Sequence, residues 1–191
     1  MFSRSPRALV CFLVALNFSQ AAEFDWANRG RFDLEMPQNW NLRGAANEDG
    51  GYFFVATPRS EANALLQVSV MNIPPELVLA DADLRLRLHD SLRTYVEQSV
   101  EKEFRVKELS CRQGRGWYAE LTDGALVGQP PKKEEYKVMR SALLLLEPRT
   151  MVVATMLFDD ASGPEAAEML TIVSSIRFAT HPQALPAAAR R

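Results

Sequence analysis

The sequence predicts an α/β (α+β) fold, a largely antiparallel sheet sandwiched between helices, and three observations predict it. Segments 81–104 and 164–176 carry apolar residues at three- and four-residue spacings, the mark of amphipathic helices. Between and around them, several segments alternate with period two and are joined by connections too short for parallel crossovers, so neighbouring strands run antiparallel. Within these, residues 52–56, 143–146 and 151–154 are apolar on both side-chain parities, the pattern of strands covered on both faces.

The chain opens on Arg4 and Arg7, an apolar run from Ala8 to Leu16, and then Ser19, Gln20, Ala21 and Ala22. A positive end, a greasy middle and small residues form the pattern of a secretory signal peptide over 1–22, cut after Ala21 or Ala22. The run of nine residues is far short of the ~20 that a helix needs to cross a bilayer, so no integral membrane span is expected after cleavage. The expected location is periplasmic or secreted. What remains of the 191 residues suits a single domain over 23–178, followed by a flexible Ala/Pro-rich tail over 179–191.

Residues 31–37 alternate apolar and charged side chains and stop at Pro37, a short strand, with Trp40 at the turn that follows. The turn formers RGAANEDGG at 43–51 precede a hairpin of 52–57 and 64–73, with 58–63 as its loop. Pro74 and Pro75 end the second arm. Asp81 or Asp83 caps the first helix, whose apolar side runs Leu84, Leu88, Leu92, Tyr95, Val96, Val100 and Phe104. From Arg105 the period returns to two, over 106–112, 116–122, 136–146 and 150–158, with a turn at Gly114 and a long polar loop at 123–135. Ser162 and Glu165 have capping-box spacing around Pro164, and the second helix runs to about Ile176 with Ala166, Met169, Leu170, Val173 and Ile176 as its stripe.

Little in the sequence points to chemistry. The 22 basic and 24 acidic side chains fall to 20 against 24 once the leader is lost, and an acidic chain without a basic patch predicts no nucleic-acid partner. Of two cysteines, Cys11 lies in the leader, leaving Cys111, expected as a buried thiol in a strand, with no partner in the mature chain. His89 and His181 lack the further ligands a zinc site requires. No GxSxG, HExxH or CxxC occurs; Gly114 and Gly116 join two strands rather than cradle a phosphate, and Asp159 and Asp160 supply too few oxygens for a cation. Catalytic, cofactor-binding and metal residues are therefore expected to be none, with no cofactor, and no binding residue is assigned. Two polar loops suit recognition: Pro130, Pro131, Lys132, Lys133, Glu134 and Glu135, and the stretch around Asn47, Glu48 and Asp49.

The order of elements, with "RFDLEMPQNW" at the opening strand and "IVSSIRF" closing the final helix, resembles the PsbP/Mog1/DcrB-like superfamily from Phe32 to Phe178. The resemblance implies a three-layer α/β/α sandwich and accessory or binding roles rather than enzymatic ones, and it carries over no residue-level function. The expectation is an exported non-enzymatic envelope protein that binds another protein or supports an assembly, with partner and oligomeric state undetermined. Alternatives are a hydrolase or ligand-binding protein that collects residues such as His89, Asp159 or Arg140 into a pocket, and an immunity or inhibitor protein.

Overall fold

A computed structural model describes residues 19–180 apart from 27–29, 47–50, 75, 131 and 148. Most of the leader, the centre of the 43–51 loop with Asn47, Glu48 and Asp49, Pro75, Pro131 and the tail beyond Thr180 with His181 lie outside the described residues.

The described residues form two antiparallel sheets, two α-helices and one short 3-10 turn at Gly124–Leu126. Strands β1 (Ser19–Trp26), β2 (Gly30–Pro37) and β10 (Arg177–Thr180) form a three-stranded sheet with β2 in the centre. The larger sheet contains β3 (Trp40–Ala46), β4 (Tyr52–Pro58), β5 (Ala64–Asn72), β6 (Lys107–Leu109), β7 (Arg115–Thr122), β8 (Val138–Glu147) and β9 (Thr150–Phe158), in the order β3-β4-β5-β9-β8-β7-β6. Helix α1 (Asp81–Val96) packs on β7 and β8, and α2 (Pro164–Ser175) packs on β2 and β9.

The pleat of the large sheet divides the interior in two, because successive side chains point to opposite faces. Even-numbered Phe54, Leu66, Val68, Leu144, Val152 and Met156 meet α2 and the small sheet in the larger core. On the other face Trp117, Ala119, Leu121, Leu143 and Leu145 meet Leu84, Leu88 and Leu92 of α1. The helices thus lie on opposite sides of the sheet, as expected, with the small sheet sharing a layer with α2.

Coverage of the α1 face is partial, which corrects the reading of double-sided burial at two of three runs. Only 143–146 is buried throughout. Along β4 burial alternates, and Phe53 is 40% exposed; along β9 Met151 and Val153 are only partly buried. A 16-residue helix is about 24 Å long, and α1 spends its apolar stripe on β7 and β8, so that among the described residues no helix packs comparably on the outer side of β3, β4 and β5.

Several boundaries differ from the sequence reading for local reasons. Trp40 begins β3 instead of sitting in a turn, and Arg43 to Ala46 continue that strand because seven successive pairs with β4 satisfy their backbone. Helix α1 ends at Val96, so Val100 and Phe104 belong to the chain beyond it, and Tyr95 is 51% exposed. Its N-cap is Ala80, whose N–H donates to the Asp83 carboxylate 2.8 Å away. The Ser162–Glu165 capping box is absent: Gly163 is the N-cap of α2, and Ser162 donates its N–H and O–H to Asp160. Strand β6 has only three residues, so Cys111 lies just past it, half-buried. Gly114 has φ +70°, and a Cβ there would lie 2.0 Å from the Leu145 carbonyl oxygen, so this turn requires glycine.

Candidate functional site

The ends of β4, β7 and β9 and the starts of β5 and β8 lie at one end of the large sheet, where the connections 59–63, 123–137 and 159–163 meet the chain leaving α1. Ala46 and Tyr52, which flank the second polar stretch, pair at the opposite end of β3 and β4.

Asn63 ties the loop end together. Its Nδ2 donates to the carbonyls of Lys132 (3.1 Å) and Glu135 (2.8 Å) and to the Asp159 carboxylate (3.1 Å), while its Oδ1 accepts the Glu134 N–H at 3.2 Å. Asp159 also accepts the Lys137 N–H. The brace holds a tight turn in which the Glu135 N–H reaches the Lys132 carbonyl and Glu134 adopts φ +67°, a conformation that non-glycine residues seldom take. On the α1 side, Glu101 accepts both the N–H (2.9 Å) and the O–H (2.7 Å) of Thr122, and the Gly124 N–H donates to the Gln98 carbonyl. Partial burial pushes the Glu101 carboxyl up, but hydrogen bonds from Thr122 and its own N–H outweigh this and leave it below the ordinary range.

Between these braces lies a cleft of about 180 Å³ with an apolar floor of Leu121, Met139 and Leu157 and walls of Tyr95 and Tyr136. Small-molecule sites usually enclose about 300–1,000 Å³, so this cleft has room for a side chain rather than a whole ligand. Beyond Tyr136 an open hollow of about 790 Å³ is bounded by Pro58, Glu61, Asn63 and Lys133. Burial, followed by the Glu134 and Asp159 carboxylates, raises the Tyr136 phenol above its ordinary range, so it keeps its proton and remains a donor at neutral pH. Val100, whose N–H donates to Thr122 of this lining, is more than half exposed, as is Val127 in the connection that follows Asp123.

The residues proposed for a hidden catalytic pocket are kept apart. His89 is exposed on α1, with Nδ1 3.5 Å from Asp90 and its ring 5.1 Å from Phe104. Arg140 is buried on the other face of the sheet, where it donates to Glu120 and to the Ala166 carbonyl of α2. Asp159 is engaged by Asn63 and Lys137, and Asp160 by Ser162, whose hydrogen bonds lower its carboxyl below the ordinary range. Burial, then Glu108, pushes the Cys111 thiol up to about 11, so it is held as the unreactive thiol. Among the described residues, no three His, Cys, Asp or Glu side chains are placed to hold a metal ion, and no helix is long and apolar enough to cross a membrane.

Sequence reasoning picked out Lys132 to Glu135 but missed Asn63 and Tyr136. Asn63 reads as one polar loop residue among several, and only its position opposite the second loop makes it a hub. Tyr136 reads as the start of a strand, whereas β8 begins two residues later.

No family model and no curated protein matches this sequence. Among solved structures, the solution structure of cyanobacterial PsbP from Synechocystis sp. PCC 6803 is similar, with a TM-score of 0.50 and 13% identity over 88% of this chain and 97% of that one. Identity this low speaks to architecture alone. With its antiparallel sheet between two helices, the chain has a PsbP-like α+β fold, as the resemblance of its sequence implied.

Proposed function

We propose that this protein is an exported, non-enzymatic accessory factor of the bacterial envelope that works by binding another protein through the loop end of its large sheet. The observation that carries the reading is the cleft beside Tyr95 and Tyr136. An apolar recess of side-chain size, with exposed Val100 bonded to its Thr122, exposed Val127 in the same 123–137 connection that supplies Tyr136, and braced polar loops, has the apolar centre and polar border of a protein interface. Bracing by Asn63 and Glu101 favours such a role, because a loop already ordered loses less entropy on binding. Export rests on the leader pattern. Cleavage after Ala21 or Ala22 would shorten β1 while leaving Glu23 to Trp26 paired with Gly30 to Asp33.

A photo-cross-linking residue placed at Val127 in the source bacterium, with Leu86 on α1 as the comparison site, tests the binding surface. A discrete protein adduct from position 127 and none from position 86 is the expected result. Equal labelling from both, or none from 127, would refute the assignment of the surface. Mass spectrometry of the periplasmic fraction tests export: a mature chain beginning at Ala22 or Glu23 is expected, and an uncut cytoplasmic chain would overturn that part.

A further inference from the structure

Strand β3 is an edge strand whose one charged guard against pairing is Arg43. It makes seven successive antiparallel pairs with β4, from Trp40↔Pro58 to Ala46↔Tyr52, and no described strand pairs with its other side. Natural edges are commonly blunted by proline, lysine, bulges or short length. β3 has no proline, no lysine and no bulge, and Asn41 and residues 43–46 are exposed.

A groove of about 680 Å³ runs beside it. Ala21 and Ala22 of β1 line it with half-buried Leu42 and the buried Met36 and Trp40, and among the described residues Arg43 and Arg59 are the charged side chains in its lining. Neither arginine makes an ion pair among the described residues, and the cross-strand neighbour of Arg43 is Val55. The nearby Glu168 carboxylate is committed to Trp40 Nε1 at 2.6 Å and to the Asn39 amide.

These observations choose among occupants. A second copy pairing β3 with β3 across a two-fold axis at the strand midpoint would set Arg43 opposite Arg43, and like charges directly opposed destabilise a ladder. A strand carrying carboxylates has the opposite effect at the same position. We propose that the β3 edge and its groove take an extended acidic segment of a partner protein as an eighth strand, with carboxylates meeting Arg43 and Arg59. The proposal goes beyond the loop-end reading, since the β3 groove shares no lining residue with the Tyr95–Tyr136 cleft. Main-chain bonds to β3 supply affinity, and the two guanidiniums select against neutral or basic strands. Loss of Ser19 to Ala22 with the leader would widen the groove on its β1 side.

The test uses the mature chain isolated from the periplasmic fraction and a fluorescein-labelled heptapeptide alternating threonine and glutamate, followed by anisotropy. Its comparison peptides carry glutamine for glutamate, or N-methyl groups on alternate residues that block one side of the ladder. The acidic peptide is expected to bind at least about tenfold more tightly than either, and Arg43→Glu or Arg59→Glu to weaken it about tenfold by replacing attraction with repulsion. Circular dichroism checks folding, and Arg43→Gln with an intermediate loss serves if the reversal does not fold. No binding, equal binding of the glutamine peptide, indifference to N-methylation, or a β3-dependent homodimer in sedimentation would overturn the proposal. If the peptide fails while the Val127 adduct persists, this inference falls and the binding reading stands; absence of both removes both.

Discussion

Replacing Asn63 with alanine removes the amide that joins three connections at the loop end. A side-chain amide has two hydrogens, so its contacts to Lys132, Glu135 and Asp159 amount to two full bonds with one shared, and the Glu134 N–H adds a third. At a net ~0.5–1.5 kcal/mol each, three such bonds give ~1.5–4.5 kcal/mol in a dry site. Asn63 is half-buried and the released carbonyls of Lys132 and Glu135 can turn to water, so a loss of ~1–2 kcal/mol is expected. For a chain of this size that lowers Tm by ~2–8 °C. Hydrogen exchange separates a local effect from a general one: the Glu134, Glu135 and Lys137 amides lose protection while those of β5 and β9 keep it. Asn63→Asp keeps one acceptor but faces the Asp159 carboxylate at the position now 3.1 Å away. It is expected to be worse than alanine at pH 7 and to recover as the pH falls and a proton is shared. Unchanged Tm together with unchanged exchange at Glu134 would show that Asn63 does not organise this end of the molecule.

The buried Arg140 donates to the Glu120 carboxylate and the Ala166 carbonyl, and lies over the rings of Tyr118 and Phe158, so Arg140→Met leaves the Glu120 carboxylate without its partner and the Ala166 carbonyl with its helical bond alone. A loss of ~3–5 kcal/mol in urea unfolding is expected, much of it restored by adding Glu120→Leu; no recovery in the double variant would argue against the ion pair as the cause. Glu101 has a depressed folded-state pKa, so its contribution is present above the unfolded value and fades as pH falls through the folded one. With the side chain largely exposed, Glu101→Gln should cost under ~1 kcal/mol at pH 7 and progressively less as the pH falls below the ordinary carboxylate range, and a cost that is constant with pH would contradict this. Cys111, its thiol pushed up to about 11, should react with Ellman's reagent at pH 8 more than ~100-fold slower than free cysteine, whose pKa is ~8.5; reaction at the free rate would show that burial does not protect it.

Periodicity alone located β2, β4, β5, β7, β9 and both helices, because an apolar stripe of period two or 3.6 must face a core wherever that core lies. It placed β9 at its observed bounds. The same reasoning failed where partners decide. Residues 43–46 are poor strand formers held extended by β4, and Ser19 to Ala22, which have the composition of a cleavage site, pair with β2. Tyr95 has helical spacing yet stands at the cleft because α1 ends one residue later. Apolar parity on both sides of 52–56 indicated tolerance of burial, but only the length and position of α1 determine which strands receive a cover. The loop end followed the same rule. The polar composition of 130–135 marked it as exposed, whereas its braced shape depends on Asn63, some seventy residues earlier in the chain. The sequence by itself therefore determined which segments are amphipathic and which are turns, since those are local properties of side-chain order. Tertiary structure alone decided the second sheet, the open β3 edge and the cleft, since each is a relation between segments that no local pattern encodes.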